Sequence, residues 1–161
     1  MRVLFLFLSF SLLWSCKSDK TPQTTAPIKE LPAETKKPEK TAPTEVYCYL
    51  ATHGTDDNYK DTTSVKLTII GNEVMGTYNW IPAGKDSARG TLTGTIKNKI
   101  ITAVYDYVIE GSNQKEEMIF KLEINQLLVK KGALEEVDGI LKLKNPEAAA
   151  FSEVIPRVLC K

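Results

Sequence analysis

The sequence predicts an all-β domain: an antiparallel up-and-down meander of about eight strands, closed into a barrel, with one short C-terminal helix. Apolar and polar residues alternate with a period of two through most of residues 46–144, as in strands that bury one face. Short connections rich in Gly, Asn and Asp leave no room for the crossover helices of a parallel sheet. Closure is expected because a barrel removes exposed strand edges. A flattened sandwich or a half-open barrel is the alternative.

Ahead of this domain, the chain begins with a short apolar segment. Arg2 precedes Val3–Trp14, an almost wholly apolar run that is too short for a membrane-spanning helix of roughly 20 residues. It fits the apolar region of a signal peptide. The run ends at Leu13-Trp14-Ser15-Cys16, which resembles the lipobox of bacterial lipoproteins. The resemblance implies that residues 1–15 are removed and that Cys16 is acylated, with palmitate among its chains. A plain signal peptide with a chance cysteine is the alternative.

The anchor also gives an expected location. Several acyl chains hold a protein stably on a membrane, so the protein is expected in the bacterial cell envelope. Lipoproteins that stay in the inner membrane tend to carry Asp after the acylated cysteine, and Lys17 in that place favours the outer membrane. The periplasmic face and the cell surface both stay open.

Residues 16–45 are predicted as the lipidated cysteine and a disordered tether. Prolines recur at positions 22, 27, 32, 38 and 43. Within residues 17–45, Ile28 and Leu31 are the only large aliphatic residues. Such a segment buries too little apolar surface to offset its ordering entropy. The prolines favour an extended chain of about 3.1 Å per residue. Residues 46–161 then form one domain by length.

Eight segments of this domain carry the strand pattern. They are Val46–Ala51, Ser64–Ile70, Glu73–Trp80, Arg89–Lys97, Ile100–Ile109, Glu117–Ile124, Gln126–Lys130 and Gly139–Lys144. Turn-forming residues separate neighbours at Gly71-Asn72, Lys97-Asn98, Gly111-Ser112-Asn113, Asn125 and Asp138-Gly139.

The C-terminal helix is predicted from the residues at its start. Asn145 is a favoured N-cap residue, Pro146 suits the first helical position, and Glu147 adds an acid to the first turn. Ala148–Ile155 is therefore predicted as a short helix that ends before Pro156.

The three cysteines are accounted for by one lipid and one disulfide. Cys48 lies in the first strand and Cys160 next to the C-terminus. In a closed barrel the first strand meets the last elements, and behind a signal peptide the compartment is oxidising. The sequence therefore predicts a Cys48–Cys160 disulfide.

Charge and metal-ligand patterns exclude several classes of function. Without Arg2 the 21 basic residues become 20, which balance the 20 acidic ones, and no basic cluster favours nucleic acid. His53 lies near acidic residues, but no second histidine or cysteine pair completes a zinc set. Asp56, Asp57, Asn58 and Asp61 suggest calcium only weakly, since the order of an EF-hand is missing. No metal and no cofactor is predicted.

Catalytic patterns are also weak. No G-x-S-x-G elbow accompanies His53, the only histidine. Candidates for a carboxylate pair near strand ends are Asp86, Glu110, Glu116 and Glu117, of which the last two are adjacent and face opposite ways on a strand. The sequence predicts no enzyme and no catalytic residue.

Aromatic residues on the apolar strand faces are the candidate ligand-lining residues. They are Tyr78, Trp80, Tyr105, Tyr107 and Phe120. In a small barrel such rings either fill the interior or line a cavity for one small ligand. Tyr and Trp also carry polar groups that need partners when buried, which suits a partly polar ligand. A solid core built by the same rings is the alternative.

Several strings of the domain resemble a family of small bacterial lipoproteins. They are CYLAT, GNEVMGTYNW, PAGKDSARGTLTGT, YDYVIEGSNQKEEMIF and GILKLKN, which together extend over Tyr47 to Asn145. The architecture more loosely resembles lipocalin-like barrels. These resemblances imply an anchored β-barrel and no particular activity. Two hypotheses follow: a tethered module that binds a small hydrophobic or partly polar ligand, and a structural lipoprotein with a solid core whose outer surface binds an envelope protein.

Overall fold

The computed structural model describes residues 42–56 and 59–161, without the side chains of residues 55 and 56. The predicted signal peptide, Cys16 and most of the tether lie outside the described residues. Ten strands are present: β1 Thr44–Asp56, β2 Tyr59–Ile70, β3 Glu73–Ile81, β4 Ala88–Lys97, β5 Ile100–Ile109, β6 Ser112–Leu122, β7 Gln126–Lys131, β8 Leu134–Val137, β9 Ile140–Leu143 and β10 Ala150–Val158. The described part of the chain holds no helix long and apolar enough to cross a membrane.

The predicted all-β barrel is confirmed. Strands β1 to β7 pair in succession as an antiparallel meander, and β10 lies between β7 and β1, so that eight strands close the wall. Tight turns support this order, since Asn98-Lys99, Glu110-Gly111 and Asp138-Gly139 have positive φ at both residues. That conformation matches the twist of the adjoining strands.

The predicted C-terminal helix is wrong. Asn145 does cap a turn, because its Oδ1 accepts the backbone N–H of Ala148 at 3.2 Å and its carbonyl accepts that of Ala149 at 3.1 Å. The chain then extends into β10, which pairs with β7 over Ala150–Pro156. A ladder to two neighbours and the burial of Ile155 outweigh the local helix signals, which depend on tertiary context.

The prediction of eight wall strands holds, although the eighth strand is a different segment. The predicted strand Gly139–Lys144 corresponds to β9, which forms a hairpin with the unpredicted β8. This hairpin stands outside the wall and joins it through one parallel pair, Glu116 with Leu141. The wall is completed by β10 instead.

The barrel has a packed end and an open end. The packed end contains Gly71, Asn98-Lys99 and residues 123–125, and its interior is filled by fully buried side chains that include Val74, Ile101, Phe120, Leu127 and Ile155. The guanidinium of Arg157 lies 4.7 Å from the ring centroid of Tyr47 there. The open end contains the loop of residues 82–87 and the turn Glu110-Gly111. The chain enters at Thr44 on the packed end and reaches the open end along β1.

The predicted Cys48–Cys160 disulfide is present, with the two Cα atoms 5.2 Å apart. The disulfide lies beside the ladder that joins the first strand to the last, and this ladder is short. Only two Cα pairs join β1 to β10, Cys48 with Val158 and Tyr49 with Arg157. The covalent bond therefore reinforces the point at which the barrel closes on itself.

Candidate functional site

A cavity of about 410 Å³ opens into the barrel at the open end. Ligand sites for small molecules typically measure about 300–1,000 Å³. Its wall includes residues from β1 to β7 and from β10. The inner end of the cavity adjoins the packed interior, so the cavity occupies the part of the barrel next to the open end.

The alternation of the strands brings three tyrosines to the cavity wall. In the ladder, Gly90 of β4 lies between Tyr78 of β3 and Tyr107 of β5. A Cβ atom at Gly90 would collide with the carbonyl oxygen of Asp106 and the Cα atom of Tyr107. Glycine at this position therefore allows the close approach of β4 and β5 and leaves the space between the two rings free.

The three rings form a compact aromatic group. Tyr105 and Tyr107 stack at a centroid distance of 4.3 Å with an interplanar angle of 9°. Tyr78 meets Tyr105 edge to face at 5.1 Å and 67°. Both arrangements are favourable for aromatic pairs and hold the rings in fixed positions. The cavity thus has two aromatic surfaces at a steep angle to each other.

The three tyrosine hydroxyls are not equally satisfied. Tyr107 donates to Gln114 Oε1 at 2.9 Å, and Tyr78 donates to Glu153 Oε1 at 3.3 Å. Tyr105 is only 3 % exposed. Its hydroxyl oxygen is buried and has no hydrogen-bond partner among the described residues. Burial is the largest cause of the raised pKa of all three hydroxyls, which stay neutral near pH 7. Tyr105 therefore lines the cavity as a residue while its hydroxyl oxygen is shielded from it.

Two carboxylates and one ammonium group face the same space. Lys131 Nζ lies 2.9 Å from Glu153 Oε2, an ion pair that balances both charges. Glu116 lies directly opposite Tyr105 in the ladder between β5 and β6. Burial raises the pKa of its carboxyl, while the Lys131 charge lowers it and the Glu153 charge raises it further. Within the described residues, Glu116 makes no hydrogen bond and no ion pair.

The rim of the cavity is polar and aromatic. Trp80 is 38 % exposed there, and His53 and Asp61 lie on the paired strands β1 and β2. Asp61 Oδ1 accepts the backbone N–H of Ala83 at 2.7 Å, which ties the loop of residues 82–87 to the rim. His53 lies within β1, which continues to Asp56.

Four of the five predicted ligand-lining residues come together in the cavity: Tyr78, Trp80, Tyr105 and Tyr107. Phe120 does not line it, because it is fully buried in the packed interior, with its ring centroid 6.3 Å from that of Tyr78. The charged residues Glu116, Lys131 and Glu153 were not predicted as ligand-lining. Strand alternation could have predicted Glu116 as an inward-facing residue, because it shares a face with Met118 and Phe120.

The other candidates considered from the sequence lie apart from the cavity. Asp86 is exposed in the loop of residues 82–87, Glu110 is exposed in a turn, and Glu117 is opposite Val104 in the ladder. No group of three metal-ligating side chains occurs in residues 42–54 and 59–161. Asp57 and Asn58 of the weak calcium pattern lie outside the described residues.

Comparisons with protein-family models, with curated proteins and with solved structures find no match to this chain. The arrangement of the cavity is therefore interpreted from its own chemistry.

Proposed function

We propose that the protein is a non-enzymatic, membrane-anchored lipoprotein of the bacterial envelope that binds a small, partly apolar ligand in its barrel. The observation that carries the proposal is the cavity at the open end, where tyrosine rings offer apolar contact area beside the charged side chains of Glu116, Lys131 and Glu153. Such a mixture of aromatic area and a few polar groups is typical of small-molecule sites.

The alternative is a structural lipoprotein with a solid core whose outer surface binds an envelope protein. The packed end fits a solid core and the open end does not. The cavity therefore supports the binding hypothesis over the alternative.

Fluorescence of Trp80 tests ligand binding directly, because this residue stands at the cavity rim. Trp14 lies in the segment proposed to be removed, so the mature chain keeps Trp80 as its only tryptophan. Titration with a small-molecule extract of the envelope should quench its fluorescence saturably. The quenching should disappear in Tyr105→Ala and persist in Val108→Ala, an exposed site on the same strand. Absence of saturable quenching with an intact circular dichroism spectrum would reject the proposal.

The anchor is tested at Cys16, which ends the lipobox-like string. Cells that express the chain are labelled with palmitate and fractionated. Cys16→Ala should abolish both label incorporation and membrane retention, because it removes the acylated thiol. Label that persists in this variant would show that the assignment of Cys16 is wrong. Separation of the inner and outer membranes then tests the proposed location.

A further inference from the structure

The charges of the cavity wall do not balance. Three carboxylates line the cavity, Asp61, Glu116 and Glu153, against the single ammonium group of Lys131. Lys131 is already paired with Glu153, and Asp61 accepts a backbone N–H. Among the described residues Glu116 makes no hydrogen bond and no ion pair, and the Lys131 charge that lowers the pKa of its carboxyl is already paired with Glu153.

The unbalanced carboxylate faces the aromatic group. Directly opposed residues of an antiparallel pair hold their Cβ atoms about 5 Å apart, and Glu116 and Tyr105 are such a pair. Behind Tyr105 lies the stacked ring of Tyr107, and Tyr78 stands across from it at 67°. The faces of these rings carry negative electrostatic potential, which attracts ammonium groups. The negative charge of Glu116 adds to the same potential, since it raises the pKa of all three hydroxyls beyond the larger effect of burial.

We infer that the ligand is a small organic cation whose ammonium group lies against the tyrosine rings, with the Glu116 carboxylate as its counter-charge. The inference rests on the proposed function, because it specifies the ligand of the same cavity. A neutral apolar ligand would bury Glu116 without a partner, which is unfavourable for a carboxylate. An anion would meet Glu116 at close range. A protonated amine or a quaternary ammonium ligand places a positive charge next to Glu116.

A matched pair of probes separates charge from shape. The purified full-length chain is titrated by calorimetry with choline and with its neutral isostere, in which a tert-butyl group replaces the trimethylammonium group. The carboxylate that carries the same tert-butyl group serves as the anionic probe. Choline is expected to bind about tenfold more tightly than the isostere, in the range of a desolvated cation–π contact with a counter-charge. The anion is expected to bind most weakly.

Three variants test which side chain makes the cavity prefer choline over its neutral isostere. Glu116→Gln keeps the size of the side chain and should remove the preference for choline. Glu117→Gln is the matched control on the same strand, outside the cavity, and should leave the preference unchanged. Lys131→Gln removes the competing positive charge and should strengthen choline binding. Thermal unfolding of each variant verifies that it is folded.

The outcomes distinguish this inference from the proposed function. Equal binding of choline and isostere, abolished in Tyr105→Ala, would overturn the cation inference and leave the binding cavity in place. Quenching of Trp80 by the extract without binding of choline would do the same. If neither the extract nor any probe binds, both proposals are wrong.

Discussion

The hydroxyl of Tyr105 is buried without a hydrogen-bond partner among the described residues. Tyr105→Phe removes this group and keeps the ring, so the free energy of unfolding should stay unchanged or rise. Tyr107→Phe breaks the hydrogen bond to Gln114 instead and should lower that free energy by about 1 kcal/mol. Urea denaturation of the two variants measures the difference.

Tyr49 supplies a control for this pair. Its hydroxyl is also buried and unpartnered, but the residue does not line the cavity. Burial raises the pKa of Tyr49 to about 12. Tyr49→Phe should therefore match Tyr105→Phe in stability and leave quenching of Trp80 by the extract unchanged. Loss of stability in Tyr105→Phe comparable to that in Tyr107→Phe would show that the Tyr105 hydroxyl has a partner after all.

Glu116 is expected to make stability depend on pH. Burial raises the pKa of its carboxyl in the folded chain, so the folded state binds more protons than the unfolded state between the two pKa values. The contribution of Glu116 to the free energy of unfolding is therefore largest below the unfolded pKa of about 4.3 and is lost as the pH rises through the folded pKa. Glu116→Gln should be more stable than the unsubstituted protein at pH 7, and this advantage should vanish at low pH.

Melting temperatures of the two proteins between pH 4 and 7 measure this effect. Both proteins share the other ionisable residues that line the cavity, which are His53, Asp61, Tyr78, Tyr105, Tyr107, Lys131 and Glu153. The difference between the two curves therefore isolates Glu116. Glu117→Gln controls for the loss of one charge from β6, and an advantage that it shares at pH 7 would contradict the assignment to burial.

At the scale of elements, the junction of β1 and β10 depends on the disulfide. The two strands share only the pairs Cys48 with Val158 and Tyr49 with Arg157, so few hydrogen bonds close the barrel there. The bond links residues separated by 112 positions. Replacing both cysteines by Ala should lower the free energy of unfolding by up to about 4–5 kcal/mol in the chain-entropy model.

Urea denaturation of the oxidised protein and of the double variant measures this loss. Each single variant, Cys48→Ala or Cys160→Ala, controls for the removal of one side chain and should lose about as much as the double variant. Equal stability of all forms would contradict the role assigned to the bond. Free alkylation of both Cys48 and Cys160 in protein isolated from cells without reductant would show that the bond is absent there.

The elements that the sequence predicted well are those whose local and tertiary signals agree. In β3 and β5, period-two alternation, β-branched and aromatic residues and adjoining turns all favour the same structure. In β10 the local residues point to the wrong structure, because Asn145, Pro146 and three consecutive alanines favour a helix. Burial alternates along the strand at Phe151, Glu153 and Ile155, but the charge of Glu153 interrupts the apolar pattern of that face. Pairing with β7 determines that this segment forms a strand, and no local sequence pattern predicts that β7 is its neighbour.

The candidate site was predictable only as far as side-chain direction follows from alternation. That rule placed Tyr78, Trp80, Tyr105 and Tyr107 on inward faces, where they line the cavity. It did not indicate how deep each row of the barrel lies, so Phe120 was assigned to the cavity and lies in the packed interior. The ion pair of Lys131 and Glu153 joins β7 to β10, and it required knowledge of the pairing that the helix prediction had excluded.

At the scale of the whole molecule, the barrel contains its own core. The core residues of the described chain extend from Tyr49 to Ile155, all within the barrel strands. Deleting residues 17–41 should therefore change the melting temperature by less than about 5 °C, which corresponds to roughly 1 kcal/mol for a domain of this size. Calorimetric melting of the shortened and the complete mature chain compares the two.

The deletion stops at residue 41 because β1 begins at Thr44, two residues before the predicted start of the domain. A second deletion that continues through Glu45 serves as a control, since it removes the first residues of β1 and the hydrogen bond between Tyr47 and Glu45. It should melt at a lower temperature than the first. A fall of more than about 5 °C already in the first deletion would mean that the preceding segment contributes to the stability of the barrel.

Both ends of the described chain lie towards the packed end of the barrel. The chain enters at Thr44 on the packed end, and β10 runs towards that end before the disulfide to Cys48. Within the described residues, Thr44 and the disulfide therefore lie towards one end of the barrel, and the cavity opens at the other. A probe coupled directly ahead of Thr44 or after Lys161 is therefore expected to lie away from the opening of the cavity.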